Sequence, residues 1–273
     1  MIKKCFVLTM FGTPFPWIDE FVDHVQHLEK YGWYWKIFTH NEMQSEGNVE
    51  FVKMTHEEFN NLVKKKTGVR PNLFQTPSGV PSVHVTDFYV ASGLIFEDYL
   101  KDFDFWGITN LDVVYGRLDH YLQDSVLADC DIFTDDVGII NGVFSLFRNV
   151  VYINNLFKEI PYWKEALVNQ CQKCISGIGE HQLRGTDEYG MTEVMNSKRL
   201  RVKWPPYYGL HSYDRLSHHQ PKPNLKIMED GGLCEIFEDS LMKRMPDNPL
   251  FSRGNFGREI MYFHFLTTKQ WPL

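Results

Sequence analysis

The segment D-F-D-F-W-G-I-T-N-L-D-V-V-Y-G-R-L, from Asp102 to Leu118, decides how this chain is read. An apolar run (Phe103, Phe105, Trp106, Ile108) leads into Asn110-Leu111-Asp112, and a second run (Val113, Val114, Tyr115) closes at Gly116. Aromatic and β-branched runs of this length suit a buried strand, and the polar triplet reads as a turn before a second short strand. Asp112 is thereby expected at the carboxyl end of a core strand, the edge at which open α/β sheets bind ligands. A carboxylate held there can grip a divalent cation, which in turn grips a diphosphate.

Outward from that block, the apolar periodicity alternates between two and nearly four. Cys5–Met10 reads as a strand, Phe11–Pro16 as a Gly/Pro turn, and Trp17–Tyr31 as a helix stopped by Gly32. Trp33–Thr39 and Val49–Met54 read as strands, and Thr55-His-Glu-Glu58 as a capping box opening a helix. Val69–Val83 has loop composition, and Thr86–Leu100 has the spacing of a helix with Asp87 in its first turn. Arg117–Leu127 predicts a short helix, Cys130–Thr134 and Gly138–Phe147 core strands, and Val151–Phe157 and Tyr162–Lys173 helices. Thr186–Met195 reads as a helix, and Arg199–Trp204, Leu233–Phe237 and Glu259–Leu266 as strands. This alternation predicts an α/β chain with a mainly parallel sheet. No internal repeat or linker divides it, so one domain spanning 1–273 is expected. Residues 1–150 would form its ligand-binding half, and 151–273 a more loop-like half that receives a second substrate.

At 273 residues and 43% hydrophobic, the chain can bury one sizeable core. A net charge of -7 disfavours nucleic-acid binding through a basic surface, so a cation would have to offset an anionic substrate. Aromatic residues make up 15%; filling a core explains most of them, and stacking on planar or sugar rings is a second use. Five cysteines, an odd number in a chain this long, argue against a disulfide framework. Cys171-Gln-Lys-Cys174 is a lone CxxC without a second pair to complete a zinc site. The opening residues lack the long apolar stretch of a secretory leader, and no segment approaches ~18 apolar residues. A cytoplasmic protein is expected, with peripheral membrane contact left open and the oligomeric state silent.

Several motifs then occur in order. They are a first strand with a Gly-containing loop (Val7–Pro14), a helix with an early Asp87, and F-W-G-x-x-x-L-D-V-V-Y-G. They continue with N-G-V-F-S-L-F-R-N (Asn141–Asn149), D-E-Y-G (Asp187–Gly190) and Y-F-H-F-x-x-x-K (Tyr262–Lys269). Together they resemble a bacterial and viral family of GT-A-fold glycosyltransferases linked to capsular or surface polysaccharide synthesis. The resemblance implies a GT-A-like (Rossmann-like) fold with a central mostly parallel mixed sheet flanked by helices. It implies a nucleotide-sugar donor, UDP-sugar foremost, a glycan hydroxyl acceptor, and Mn²⁺ or Mg²⁺ on a D-x-D type motif. Here that motif is Asn110-Leu111-Asp112, with an amide in place of its first acid. The resemblance also implies a late His on the metal, which His264 matches, and Lys269 beyond it can neutralise phosphate charge.

On this reading Thr9, Phe11, Gly12, Thr13, Asp87, Asn110, Leu111, Asp112 and Lys269 are the donor candidates, and Asp112 and His264 the metal candidates. An inverting transferase also needs a base for the acceptor hydroxyl, and Asp187 or Glu188 is the candidate. Each has a plainer alternative. Asp112 and Asn110 could simply shape a turn. Asp87, Asp187 and Glu188 could serve a helix N-terminus. His264 could be a core histidine, and Arg148 could pair with a surface acid. Trp204, Tyr207 and Tyr208 are the aromatics expected beside an acceptor. A catalytically silent nucleotide- or carbohydrate-binding module is the alternative that Asn110 favours. A two-metal phosphohydrolase ranks last, because it needs several clustered carboxylates.

Overall fold

The computed structural model describes residues 1–71, 86–135, 138–169, 190–204, 211–213, 224–227, 233–236 and 257–264. The early strands are β1 (Lys4–Met10), β2 (Trp33–Thr39), β3 (Val49–Lys53), β4 (Phe105–Thr109) and β5 (Val113–Tyr115). They are followed by β6 (Ile132–Thr134), β7 (Phe144–Arg148) and β8 (Val202–Lys203). All but β5 join one seven-stranded sheet in the order β3-β2-β1-β4-β7-β6-β8. Within it β1 runs parallel to β2 and β4, β2 to β3, and β6 to β8. Only β7 opposes its neighbours. This is the α/β architecture expected, a mostly parallel mixed sheet.

Helices cover both faces, which explains why β1 and β4 are apolar at almost every position rather than at alternate ones. One face carries α1 (Ile18–Val25), packed through Ile18, Phe21, Val22 and Val25. The other carries α2 (His56–Thr67) and a 3₁₀ stretch, Thr86–Ala91, that runs into α3 (Ser92–Ile95). The Thr55 capping box is formed as predicted: Glu58 N–H donates to the Thr55 hydroxyl at 3.2 Å, and Thr55 N–H to the Glu58 carboxylate at 2.7 Å. Gly107, mid-β4, is crowded by side chains of the two strands that flank it, β1 and β7. A Cβ there would lie 2.8 Å from the Phe6 ring and 2.7 Å from the Leu146 side chain.

Further along come α4 (Leu118–Tyr121), α5 (Asp124–Ala128), α6 (Val151–Asn154), α7 (Trp163–Asn169) and α8 (Met191–Ser197). Two three-stranded sheets use β9 (His211–Tyr213), β10 (Asn224–Ile227), β11 (Leu233–Ile236), β12 (Gly257–Ile260) and β13 (Tyr262–His264). Their orders are β10-β11-β12 and β5-β13-β9. Among the described residues no helix is long and apolar enough to cross a membrane.

Several element boundaries differ from expectation. The strand expected over Gly138–Phe147 begins only at Phe144. The Asn141 side chain accepts from Val143 N–H at 2.8 Å, and Ser145 Oγ from Asn141 N–H at 3.1 Å, so the backbone turns on local partners instead. The strand expected over Glu259–Leu266 breaks at Met261, because β12 and β13 serve different sheets. The helix expected over Thr86–Leu100 is α-helical only at Ser92–Ile95 and 3₁₀ on either side. The early part of Thr186–Met195 and most of Val69–Val83 lie outside the described residues.

Candidate functional site

The parallel strands place the ends of β1 (Met10), β2 (Thr39), β3 (Lys53), β4 (Thr109) and β6 (Thr134) along one edge. The turn after β4 stands there, held at several points. The Thr109 and Tyr115 hydroxyls share a hydrogen bond across its base. Leu111 at its centre is buried, and its carbonyl accepts the Trp17 indole N–H at 2.9 Å. Asn110 and Asp112, one residue to either side, are half-buried. His24 on α1 secures the outgoing strand. One ring nitrogen lies 3.0 Å from Tyr115 N and 2.9 Å from Tyr115 O. Burial pushes His24 down to about 4, so the ring is neutral at pH 7 and can accept from Tyr115 N–H. Burial pushes the Tyr115 phenol well up, and the charge on Asp112 adds to that.

β13 then brings the far end of the sequence to this turn. It pairs antiparallel with β5, Tyr262 opposite Tyr115, Phe263 opposite Val114 and His264 opposite Val113. The His264 backbone is therefore registered with the residue that follows Asp112. Tyr262 is fully buried, and its hydroxyl donates to the Asp135 carboxylate. Asp135 directly follows β6, so this residue, only 9% exposed, sits at the same edge. The sequence reading did not select Asp135. The signal was available in Cys130-Asp-Ile-Phe-Thr-Asp135, a strand pattern ended by an acid, as at Asp112.

The first loop lies beside these groups. The Thr9 hydroxyl is buried without a hydrogen-bond partner. Phe11 is buried against the rings of His40, His56 and Phe59, at centroid distances of 6.3, 4.9 and 5.4 Å. Gly12 adopts φ +128°, a conformation L side chains rarely take, and nothing lies within 4 Å of where its Cβ would stand. Its carbonyl accepts from the Asn41 amide at 2.7 Å, and Thr13 is exposed. Asp87 belongs to the 3₁₀ stretch whose next residue, Phe88, meets Phe59 edge-on at 5.4 Å. The first loop and that stretch thus share one end of the sheet. His40 and His56, rings 5.0 Å apart, were not singled out from the sequence. Burial and the neighbouring His40 lower the basicity of His56, and His40 Nδ1 is buried without a partner.

Residues 6–270 match a family of unknown function, DUF6625. The chain belongs to the DUF6625 family. No curated protein matches it in sequence. Among solved structures, the galactosyltransferase LgtC, crystallised with donor and acceptor sugar analogues, is similar over 97% of this chain and 87% of its own. The two are 11% identical, and the TM-score is 0.43.

The remaining candidates of this DUF6625 protein sort plainly. Asp187, Glu188, Lys269, Cys171 and Cys174 lie outside the described residues. Leu111, one of the donor candidates, buries its side chain in the core cluster that includes Val113 and Leu118, and Trp17 takes its carbonyl. Arg148 takes the plainer of its two readings, pairing with the carboxylate of Asp131 at 3.7 Å. It stands opposite Phe105, at the start of β4 and so at the far edge of the sheet. There it donates to the carbonyls of Leu127, Ala128 and Cys130 and lies over the Phe105 ring. Cys5 and Cys130 are buried free thiols, and burial pushes Cys130 up to about 12, far from a reactive thiolate. Trp204, 44% exposed, follows β8 at the ligand edge.

For a cation, the chemistry of the donor set is suitable. A carboxylate oxygen suits Mg²⁺ and Mn²⁺, and an imidazole nitrogen suits Mn²⁺ well. Among the described residues no group of three or more His, Cys, Asp or Glu side chains converges.

Proposed function

We propose that this DUF6625 protein is a GT-A-like glycosyltransferase that moves a sugar from a nucleoside-diphosphate sugar, UDP-sugar foremost, to a glycan hydroxyl. The observation that carries the reading is the register of β13 on β5, which sets the His264 backbone beside the residue after Asp112. Sheet order supports it as well, with one antiparallel strand inside an otherwise parallel edge-binding sheet.

In this mechanism Asp112 and His264 hold Mn²⁺ or Mg²⁺, which when bound supplies Lewis-acid stabilisation of the departing diphosphate. Asn110 offers an amide that both donates and accepts toward the ribose or the ion's waters. The first loop receives the nucleotide. Gly12 leaves room for close approach, and the Thr9 hydroxyl has an unspent bond. Asp87 accepts from the base or ribose, and Lys269 offsets phosphate charge. Asp135 presents a buried carboxylate to a sugar hydroxyl, and Tyr262 keeps it oriented. Asp187 or Glu188 takes the acceptor proton if configuration is inverted. The acceptor lies against Trp204 and its neighbours, whose exposed ring can stack on a pyranose.

Incubation with UDP-, GDP- and dTDP-sugars, with and without Mn²⁺, tests the reading through released nucleoside diphosphate. Turnover with one donor class, lost in Asp112→Ala, is the expected result. Binding without turnover across the panel would instead support a silent nucleotide- or sugar-binding module, the reading that Asn110 favours.

A further inference from the structure

The loop after β1 does more than border the nucleotide site. Trp17 is 5% exposed, and its indole N–H makes a buried 2.9 Å hydrogen bond to the carbonyl of Leu111, the middle residue of Asn110-Leu111-Asp112. Phe15 stacks on Trp17 at 5.0 Å with planes 17° apart, and the Phe15 carbonyl accepts from Ile18 N–H at 3.1 Å. The indole is thus wedged between a stacked ring and the start of α1, so its N–H direction is fixed. The turn it meets is already closed at its base by Thr109 and Tyr115. Without a bond at its apex, the Leu111 peptide could rotate. Rotation of that planar peptide changes ψ of Leu111 and φ of Asp112, and φ of Asp112 helps to aim its side chain.

We propose that Trp17 is a positioning residue for Asp112. By holding the Leu111 carbonyl, it fixes the angle at which the Asp112 carboxylate meets a bound cation. The role rests on the reading of Asp112 as a cation ligand. Groups that orient a metal ligand without touching the metal are worth about 10–100-fold in metal affinity.

The test is Mn²⁺-dependent binding of UDP, followed by calorimetry and by the thermal shift that UDP produces at varied Mn²⁺. The variants are Trp17→Phe, which keeps a stacking ring without the donor, and an isosteric benzothienylalanine at position 17, which keeps the full shape without the N–H. Trp33→Phe is the packing control. Trp33 is equally buried, but its indole nitrogen has no hydrogen-bond partner. Asp112→Ala is the control on the underlying reading.

We expect at least about a tenfold rise in the half-saturating Mn²⁺ concentration for both position-17 variants. We expect none for Trp33→Phe beyond its own loss of melting temperature, and no Mn²⁺ dependence in Asp112→Ala. If the benzothienylalanine protein keeps the wild-type Mn²⁺ response while Asp112→Ala loses it, the positioning role is overturned and the cation site stands. If Asp112→Ala keeps the response, or the wild type shows none, the cation site falls and the role of Trp17 with it. The isosteric variant decides the matter if Trp17→Phe does not fold.

Discussion

The two edges of the central sheet put their polar groups to different uses. At the edge where the parallel strands begin, charged and amide groups are used mainly on backbone carbonyls, although the Trp33 indole nitrogen and the Asn48 amide oxygen are buried without a partner. Arg148 serves three carbonyls and pairs with Asp131. The Lys4 ammonium donates to the Ile2 and Tyr31 carbonyls, and the Asn149 amide to those of Leu100 and Phe103. At the edge where those strands end, Thr9 and His40 bury polar atoms with no hydrogen-bond partner. Gly12 keeps open space, and Asn110 and Asp112 stay half-buried. What sets this second edge apart is the open space at Gly12 together with the half-buried Asn110 and Asp112, which leaves room for a ligand. One edge holds the fold together, and the other holds its chemistry in reserve.

Substitutions at the two edges should therefore fail in different assays. The largest effect belongs to the ligand edge. Asp112→Ala should lower transfer about 1,000-fold, equivalent to ~4 kcal/mol of transition-state stabilisation, with the melting temperature essentially kept. A steady-state assay beside a melting curve checks this, and near-normal turnover would erase the distinction between the edges.

The next effect concerns the joint between scaffold and site. His24, lowered to about 4 by burial, stays neutral in the native protein, whereas the unfolded chain protonates it near pH ~6.5. Between those values the unfolded state binds more protons, so native stability should fall as pH drops from about 6.5 toward 4, by at most ~3 kcal/mol. Denaturant titrations across that window should show a shallower decline in His24→Gln. Parallel slopes for wild type and variant would mean that another group carries the acid sensitivity.

At the scaffold edge, Arg148→Ala should cost about 2 kcal/mol, because it strips charged donors from carbonyls that remain partly buried. Any surviving enzyme should keep its Mn²⁺ dependence. A changed metal requirement with unchanged stability would put Arg148 back among ligand-facing residues. The smallest change is Thr55→Ala, which removes the capping-box hydroxyl of α2 and should cost about 1 kcal/mol in chemical denaturation, with no effect on catalysis.

The same division explains what could be read from the chain itself. β1, β4, the capping box and the Asn110-Leu111-Asp112 turn are local matters. A strand covered on both faces writes itself as a continuous apolar run, and a cap needs only four residues. The role of Arg148 was not legible, because a guanidinium at the end of a strand looks the same whether it meets carbonyls or a substrate. Asp135 and the His40–His56 pair were missed because their setting comes from partners remote in sequence: Tyr262 for the first, Phe11 for the second. The segment from Glu259 to Leu266 looked like one strand because its composition is uniform. Only the competition between two sheets breaks it at Met261.

The central claim is that Asp112 and His264 meet on one cation that also binds a diphosphate. Pulsed electron paramagnetic resonance of the protein with Mn²⁺ and UDP tests it directly. The account predicts ¹⁴N modulation from an imidazole together with ³¹P coupling from the diphosphate, the nitrogen signal vanishing in His264→Ala and both signals vanishing in Asp112→Ala. Spectra of Mn²⁺ ligated only by water, unchanged by either substitution, would contradict it.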